Sequence, residues 1–150
     1  MGLFGSLDIS ASALSAERLR MDVTAENLAN AQSTRTAAGG PYRRKEVVLE
    51  QATAGGGFGA SLASAMGAQS TGAAPGGVQV AGIVDDSANF KTVYDPGHPD
   101  ANAQGYVRMP NVDTVTEMTD LISASRAYEA NVTAMQTAKE MFTKTLDILR

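Results

Sequence analysis

A chain of 150 residues has room for one ordinary domain, or for a helical unit carrying a small inserted domain. Its net charge of -4 argues against general nucleic-acid binding, which needs a basic face. With no cysteine, disulfides, thiolate metal sites and cysteine nucleophiles are all excluded, and the chain is indifferent to redox compartment.

The segment Met1 to Ser6 has neither the basic start nor the apolar run of a secretory signal, and no stretch could span a bilayer. Any route out of the cytoplasm is therefore expected to proceed without a cleaved signal peptide. Gly2 to Ser6 matches the myristoylation pattern, which is short and often met by chance.

Residues 7 to 31 read as a helix. Leu7, Leu14, Met21 and Leu28 recur every seven residues, and Ala13, Ala16, Ala29 and Ala31 give a small flank that a partner helix could approach. At ~37 Å such a helix is too long to stand on one apolar stripe, so it needs a partner. Residues 42 to 51 read as a strand leaving the turn at Gly39, Gly40 and Pro41. Residues 52 to 77 are uncharged and rich in Ala, Gly, Ser and Thr, which reads as a flexible spacer. Residues 78–85, 89–94 and 105–109 form short β-like runs punctuated by Pro96, Gly97, Pro99 and Gly105.

Residues 113 to 149 give the clearest signal. Pro110 stops a helix from extending backwards, and Asn111 or Asp113 can cap its start. One seam is Met118, Ser125, Val132, Lys139 and Leu146; the other is Leu121, Tyr128, Met135, Phe142 and Leu149. Their alternating spacings of three and four are those of a coiled coil, in a helix of ~55 Å. The expected fold is α+β: N- and C-terminal helices in a coiled-coil-like hairpin, with a small β-rich insertion and a disordered Gly/Ala loop. The expected domains are 1–36 (helical), 37–110 (β-rich, with the loop at 52–77) and 111–150 (long helix).

Candidate chemistry is sparse. Asp95, His98 and Asp100 gather the single histidine with two carboxylates, a trio that could hold a metal or move protons. The Pro and Gly residues among them favour consecutive tight turns instead. The run Gly55, Gly56, Gly57, Phe58, Gly59 lacks the Lys-Ser/Thr of a phosphate-binding loop. Arg43, Arg44 and Lys45 are followed by Glu46 and Glu50, which reads as a solvated strand end or an inter-subunit ion pair. No enzyme activity and no cofactor or metal are expected. Asn27, Asn30 and Asn131 are poor helix-interior residues, and each either faces solvent or bonds across a helix interface.

Two terminal motifs resemble the flagellar rod and hook axial proteins: Ser12 to Met21 with Ala25 to Ala31, and Glu117-Met118 with Ala124 to Val132. In the middle, Pro41 to Lys45, Tyr94 to Asn102 and Gly105 to Val112 resemble the proximal-rod members of that family. The resemblance implies a structural subunit of the basal-body proximal rod, a drive shaft that transmits motor torque and is needed for flagellum assembly and motility. It implies export through the flagellar type III apparatus and a place in the rod crossing the periplasm. Implied partners are other rod proteins, the hook–basal-body adaptor and further copies of the chain, with no nucleic acid and no small-molecule substrate. Asn27, Asn30, Asp95, His98, Asn102, Tyr128 and Asn131 belong to the matching motifs, where Asp95 to Asn102 would be structural. Alternatives are another axial protein, an enzyme centred on Asp95, His98 and Asp100, or a generic coiled-coil adaptor.

Overall fold

The computed structural model describes residues 3–37, 39–53 and 75–148. Helix α1 runs Leu3–Ala29, followed by strands β1 (Lys45–Thr53), β2 (Pro75–Asp85), β3 (Lys91–Tyr94) and β4 (Tyr106–Met109), and by helix α2 (Thr114–Ile148). The class is α+β with helical termini, as the periodicities led us to expect. None of the described helices is long and apolar enough to cross a membrane.

The strands form two two-stranded sheets, β1 with β2 and β3 with β4. In the second the strands are antiparallel, and Lys91, Thr92, Val93 and Tyr94 face Met109, Arg108, Val107 and Tyr106 in turn. Both ends of the segment read as a spacer, 52–53 and 75–77, are strand instead, because β1 reaches Thr53 and β2 begins at Pro75. Proline is tolerated at a strand start, where its missing amide costs no ladder bond. Residues 54–74, including the glycine run, lie outside the described residues.

α1 stops two residues earlier than its sequence pattern. The side-chain amide of Asn30 donates to the Glu26 carbonyl at 3.0 Å, and the Ser33 amide donates to the Asn30 carbonyl at 3.0 Å. A turn closes there instead of another helical one. At the other boundary Asp113 caps α2, its Oδ1 accepting the Val115 amide at 3.1 Å. Asn111 is not the cap; its Oδ1 accepts the Arg44 amide at 2.9 Å.

The chain divides into two compact units: residues 1–17, 49–81 and 127–150, and residues 18–48 and 82–126. In the first, the buried hydrophobic residues among those described are Ala16 and Ala138. Here Ser12 fastens the start of β2 to α1. Its hydroxyl donates to the Ile9 carbonyl at 2.7 Å and accepts the Val78 amide at 3.0 Å. Gly77 has φ +25°, and a Cβ there would collide with the Ser12 side chain and lie 3.6 Å from the Ile9 Cα. Gly77→Ala is therefore expected to cost about 1–3 kcal/mol through overpacking and backbone strain. Amide exchange at Val78 checks this, since protection there should fall before protection elsewhere in β2.

The second unit holds most of the core: Val23, Tyr42, Val107, Val112 and Ala124, with Thr24, Asn27 and Glu117 buried among them. Pro110 is fully buried as well. A core this small, with two long polar side chains inside it, depends on how well those polar groups are paired.

Candidate functional site

In the second unit the last turns of α1, the entry to β1 and the first turns of α2 converge on the Asn27 carboxamide. Its Oδ1 accepts the Lys45 amide at 2.9 Å and the Tyr42 hydroxyl at 3.0 Å. Its Nδ2 donates to the Lys45 carbonyl at 2.8 Å and to Glu117 Oε2 at 3.1 Å. The carboxamide thus pairs with both backbone groups of Lys45 as a neighbouring strand would. All four of its hydrogen-bonding capacities are used.

Glu117, only 1% exposed, accepts from Asn27 on one oxygen and from Arg44 Nε at 2.5 Å on the other. Arg44 also reaches Asp120 at 3.5 Å and Glu46 at 3.8 Å. The hydrogen bond it donates to Glu117 raises the Arg44 guanidinium above its already high pKa, so this cation stays charged. A buried carboxylate is tolerated here because each oxygen meets a donor, one of them charged.

Two neighbours titrate in the alkaline range. Burial pushes the Tyr42 phenol up from 10.0, and the charge of Glu26 adds to it. A hydrogen bond to Glu26, at 2.7 Å, raises the Lys45 ammonium from 10.5. Both groups hold their protons more tightly folded than unfolded, so the native state binds more protons and stability falls as pH rises above about 10. The Lys45–Glu26 pair is 35% and 45% exposed and contributes little through water. Thermal melts are expected to lose Tm as pH rises above about 10, and Tyr42→Phe should flatten that decline.

The basic cluster is thus paired within the chain: Arg44 with Glu117, Lys45 with Glu26. Arg43 donates to the Asp86 carbonyl at 2.7 Å and stands 4.6 Å from the centre of the Phe90 ring. Sequence alone could not supply these partners, since one of them is a backbone carbonyl and Glu117 lies 73 residues from Arg44.

Asp95 to Asn102 connects β3 to β4 as a series of turns. Asp95 Oδ1 accepts the Gly97 amide at 3.1 Å, and His98 Nδ1 accepts the Asp100 amide at 3.1 Å. Asn102 Oδ1 accepts the amides of Gln104 and Tyr106 at 3.0 and 2.9 Å. Asp100 Oδ2 accepts the Thr34 hydroxyl at 2.8 Å, tying this turn to the segment after α1. Gly105, at φ +80°, passes under Tyr94, whose ring meets Tyr106 edge-on at 5.2 Å. Of the potential catalytic trio, Asp95 and His98 thus bond local backbone amides and Asp100 bonds the Thr34 side chain.

The heptad residues divide by exposure. Leu7, Leu14, Met21 and Leu28 are half-buried, as are Leu121, Tyr128, Val132 and Met135. Met118, Phe142 and Leu146 are exposed, and Leu149 lies outside the described residues. The most buried line of α2 is instead Glu117, Ala124 and Ala138, which also follows heptad spacing, one residue before the Met118 series. On α1 it is Ala16, Val23 and Asn27. Asn131 bonds within its own helix, donating to the Ala127 carbonyl at 2.9 Å.

Comparison with known proteins decides what this arrangement belongs to. The family described as Flagella basal body rod protein matches residues 7–35, and Flagellar basal body rod FlgEFG protein C-terminal matches residues 103–148. The flagellar basal-body rod protein FlgC of Bacillus subtilis is 50% identical, with 99% of each chain covered. Its namesake from Escherichia coli is 45% identical over 99% of this chain and 98% of its own. That of Borreliella burgdorferi is 42% identical over 100% and 99%. The chain belongs to the FlgC family of flagellar basal-body rod proteins. The two family matches take in both halves of the polar node, Asn27 from the first and Glu117 from the second.

Proposed function

We propose that this chain is a non-enzymatic structural subunit of the proximal rod of the bacterial flagellar basal body. It polymerises with other rod proteins and with copies of itself into the shaft that carries motor torque across the periplasm, next to the hook–basal-body adaptor. Delivery by the flagellar type III export apparatus completes this reading.

The observation that carries it is the set of large apolar side chains that α2 leaves exposed. The buried line uses Glu117 and alanines, while Val115, Met118, Ile122, Met141, Phe142 and Leu146 stay 39–71% exposed. A helix that turns alanine to its own chain and leaves large apolar side chains outside is built to bury them against other subunits. In the same reading, Leu7, Leu14, Met21, Leu28, Leu121, Tyr128, Val132, Met135 and Leu149 lie at or beside those contacts. Contacts repeated by a screw operation generate a filament instead of a closed ring.

The test is to tag the chain, isolate basal bodies and image them. Label in the rod, at its cell-proximal end, is the expected result. Complete rods without label, or label confined to the hook, would overturn the assignment.

A further inference from the structure

With no cysteine and no tryptophan, the chain's thioethers are the side chains that a peroxide oxidises most readily. There are seven methionines, of which Met1 and Met66 lie outside the described residues. Met21, Met109 and Met135 are half-buried, whereas Met118 and Met141 are 54% and 51% exposed. An oxidant has to reach the sulfur, so exposure places the last two first.

Their surroundings on α2 differ. Residues three and four apart are neighbours on a helix surface. Three of the four such neighbours of Met118 are apolar: Val115, Leu121 and Ile122, with Thr114 as the fourth. Val115 and Ile122 are 71% and 55% exposed, so Met118 lies at the middle of an uncovered apolar strip. Met141 has Thr137, Ala138, Lys144 and Thr145 instead. Lys144 is exposed and offers an ammonium donor to any oxygen gained at Met141. No side chain around Met118 offers more than the Thr114 hydroxyl.

We infer that Met118 is an oxidation site whose state decides whether the free chain can enter the rod. The sulfur lone pair attacks one oxygen of a hydroperoxide, the S–O bond forms as the O–O bond breaks, and the leaving oxygen takes the proton. With hydrogen peroxide that product is water. Sulfur loses two electrons, the peroxide gains them, and two thiols reverse the change, leaving as a disulfide and water. The sulfoxide keeps the approximate shape of the side chain but adds a strong acceptor. Covered by apolar surface, that acceptor has no donor and opposes the contact. The consequence for assembly rests on the proposed function, in which the exposed apolar residues of α2 meet other subunits. Once covered there, the sulfur is shielded, so the oxidation acts on the chain before assembly.

Hydrogen peroxide added to the purified chain, followed by peptide mass spectrometry, tests the site itself. Met118 and Met141 are expected to reach half-oxidation at least about fivefold sooner than Met21, Met109 and Met135. Met118 oxidising no faster than those three would overturn the site, whatever the chain assembles into.

Substitutions test the consequence, read as the amount of chain in isolated basal bodies. Met118→Gln, polar, unbranched and close to Met in helix propensity, stands in for the sulfoxide and should lower incorporation about tenfold. Met141→Gln should lower it by less than about threefold, and an equal loss from the two would overturn the special place of Met118. Purified variants should melt within a few degrees of the parent. If Met118→Gln does not, Met118→Leu, which peroxide leaves intact, carries the test. Parent and Met118→Leu, with different tags, are produced in the same cells while rods assemble in peroxide, so general damage falls on both. The ratio of parent to variant in basal bodies should fall at least about threefold. An unchanged ratio, with Met118 oxidised in the unassembled chain, would overturn the inference. Untreated parent missing from basal bodies, with Met118 oxidised first in the purified chain, would count against the rod assignment alone.

Discussion

Asn27→Asp should be among the most destabilising isosteric changes in this chain. The substitution keeps the shape and both acceptors but removes both donors. The Lys45 carbonyl and Glu117 Oε2, now 2.8 and 3.1 Å from Nδ2, would face an oxygen instead. One buried acceptor loses its partner, and a second carboxylate is pressed against the first. The expected loss is about 3–5 kcal/mol, the range for breaking a buried charged network by removing one member. Denaturant unfolding of the purified chain measures it. Asn30→Asp is the control. Its side chain bonds the Glu26 carbonyl and Ser33 at a half-exposed turn, where water can take over, so about 1 kcal/mol or less is expected. If the two variants unfold at the same midpoint, the node is not what holds the ends of the helices.

The same network fixes an order for a second pair of changes. Glu117→Ala leaves Arg44, whose side chain is 22% exposed, still beside Asp120 and in reach of water. Arg44→Ala leaves the Glu117 carboxylate at 1% exposure with a neutral amide as its remaining side-chain partner. The second loss should therefore exceed the first, because an uncompensated charge costs more where water cannot reach it.

How much of this could be seen beforehand differs sharply between the helices and the node. The order of elements was legible because each period is local: seven-residue repeats for the helices, punctuated apolar runs for the strands. The bounds moved by a few residues where side chains close the ends, as Asn30 does for α1 and Asp113 for α2. The face of α2 that its own chain buries was legible only in part. Weighing positions by apolar size selects the Leu121 series, which borders that face and is half-buried as far as Met135, but it passes over Glu117, Ala124 and Ala138, the residues covered most fully. Alanine carries almost no hydrophobic signal, and glutamate carries the opposite one. Glu117 becomes a core residue only through Arg44 and Asn27, distant in sequence. For Asn27 the sequence offered either solvent or a bond across an interface, and its Nδ2 bond to Glu117 joins α1 to α2. Of its three other partners, the two on Lys45 are backbone groups, which no residue pattern encodes.

That division of faces leads to the second large effect, which concerns assembly instead of folding. Val115, Met118 and Ile122 lie at spacings of three and four on α2, at 71%, 54% and 55% exposure. Met118→Glu with Ile122→Glu should leave the monomer within about 0.5 kcal/mol of its original stability, since neither side chain is in the core. Against a neighbouring subunit the account is different. Each large apolar side chain fully buried there is worth about 1.5–3 kcal/mol, and each carboxylate put in its place must be desolvated as well. Since 1.4 kcal/mol is about tenfold in an association constant, two such changes should reduce incorporation into basal bodies by more than about a hundredfold. Thr116→Glu, exposed on a different side of the same helix, should be incorporated normally. Matching monomer melts with divergent incorporation would place the contact on the Met118 side of α2. If the double variant enters rods at the level of Thr116→Glu, that side faces solvent in the assembly and the contacts lie elsewhere.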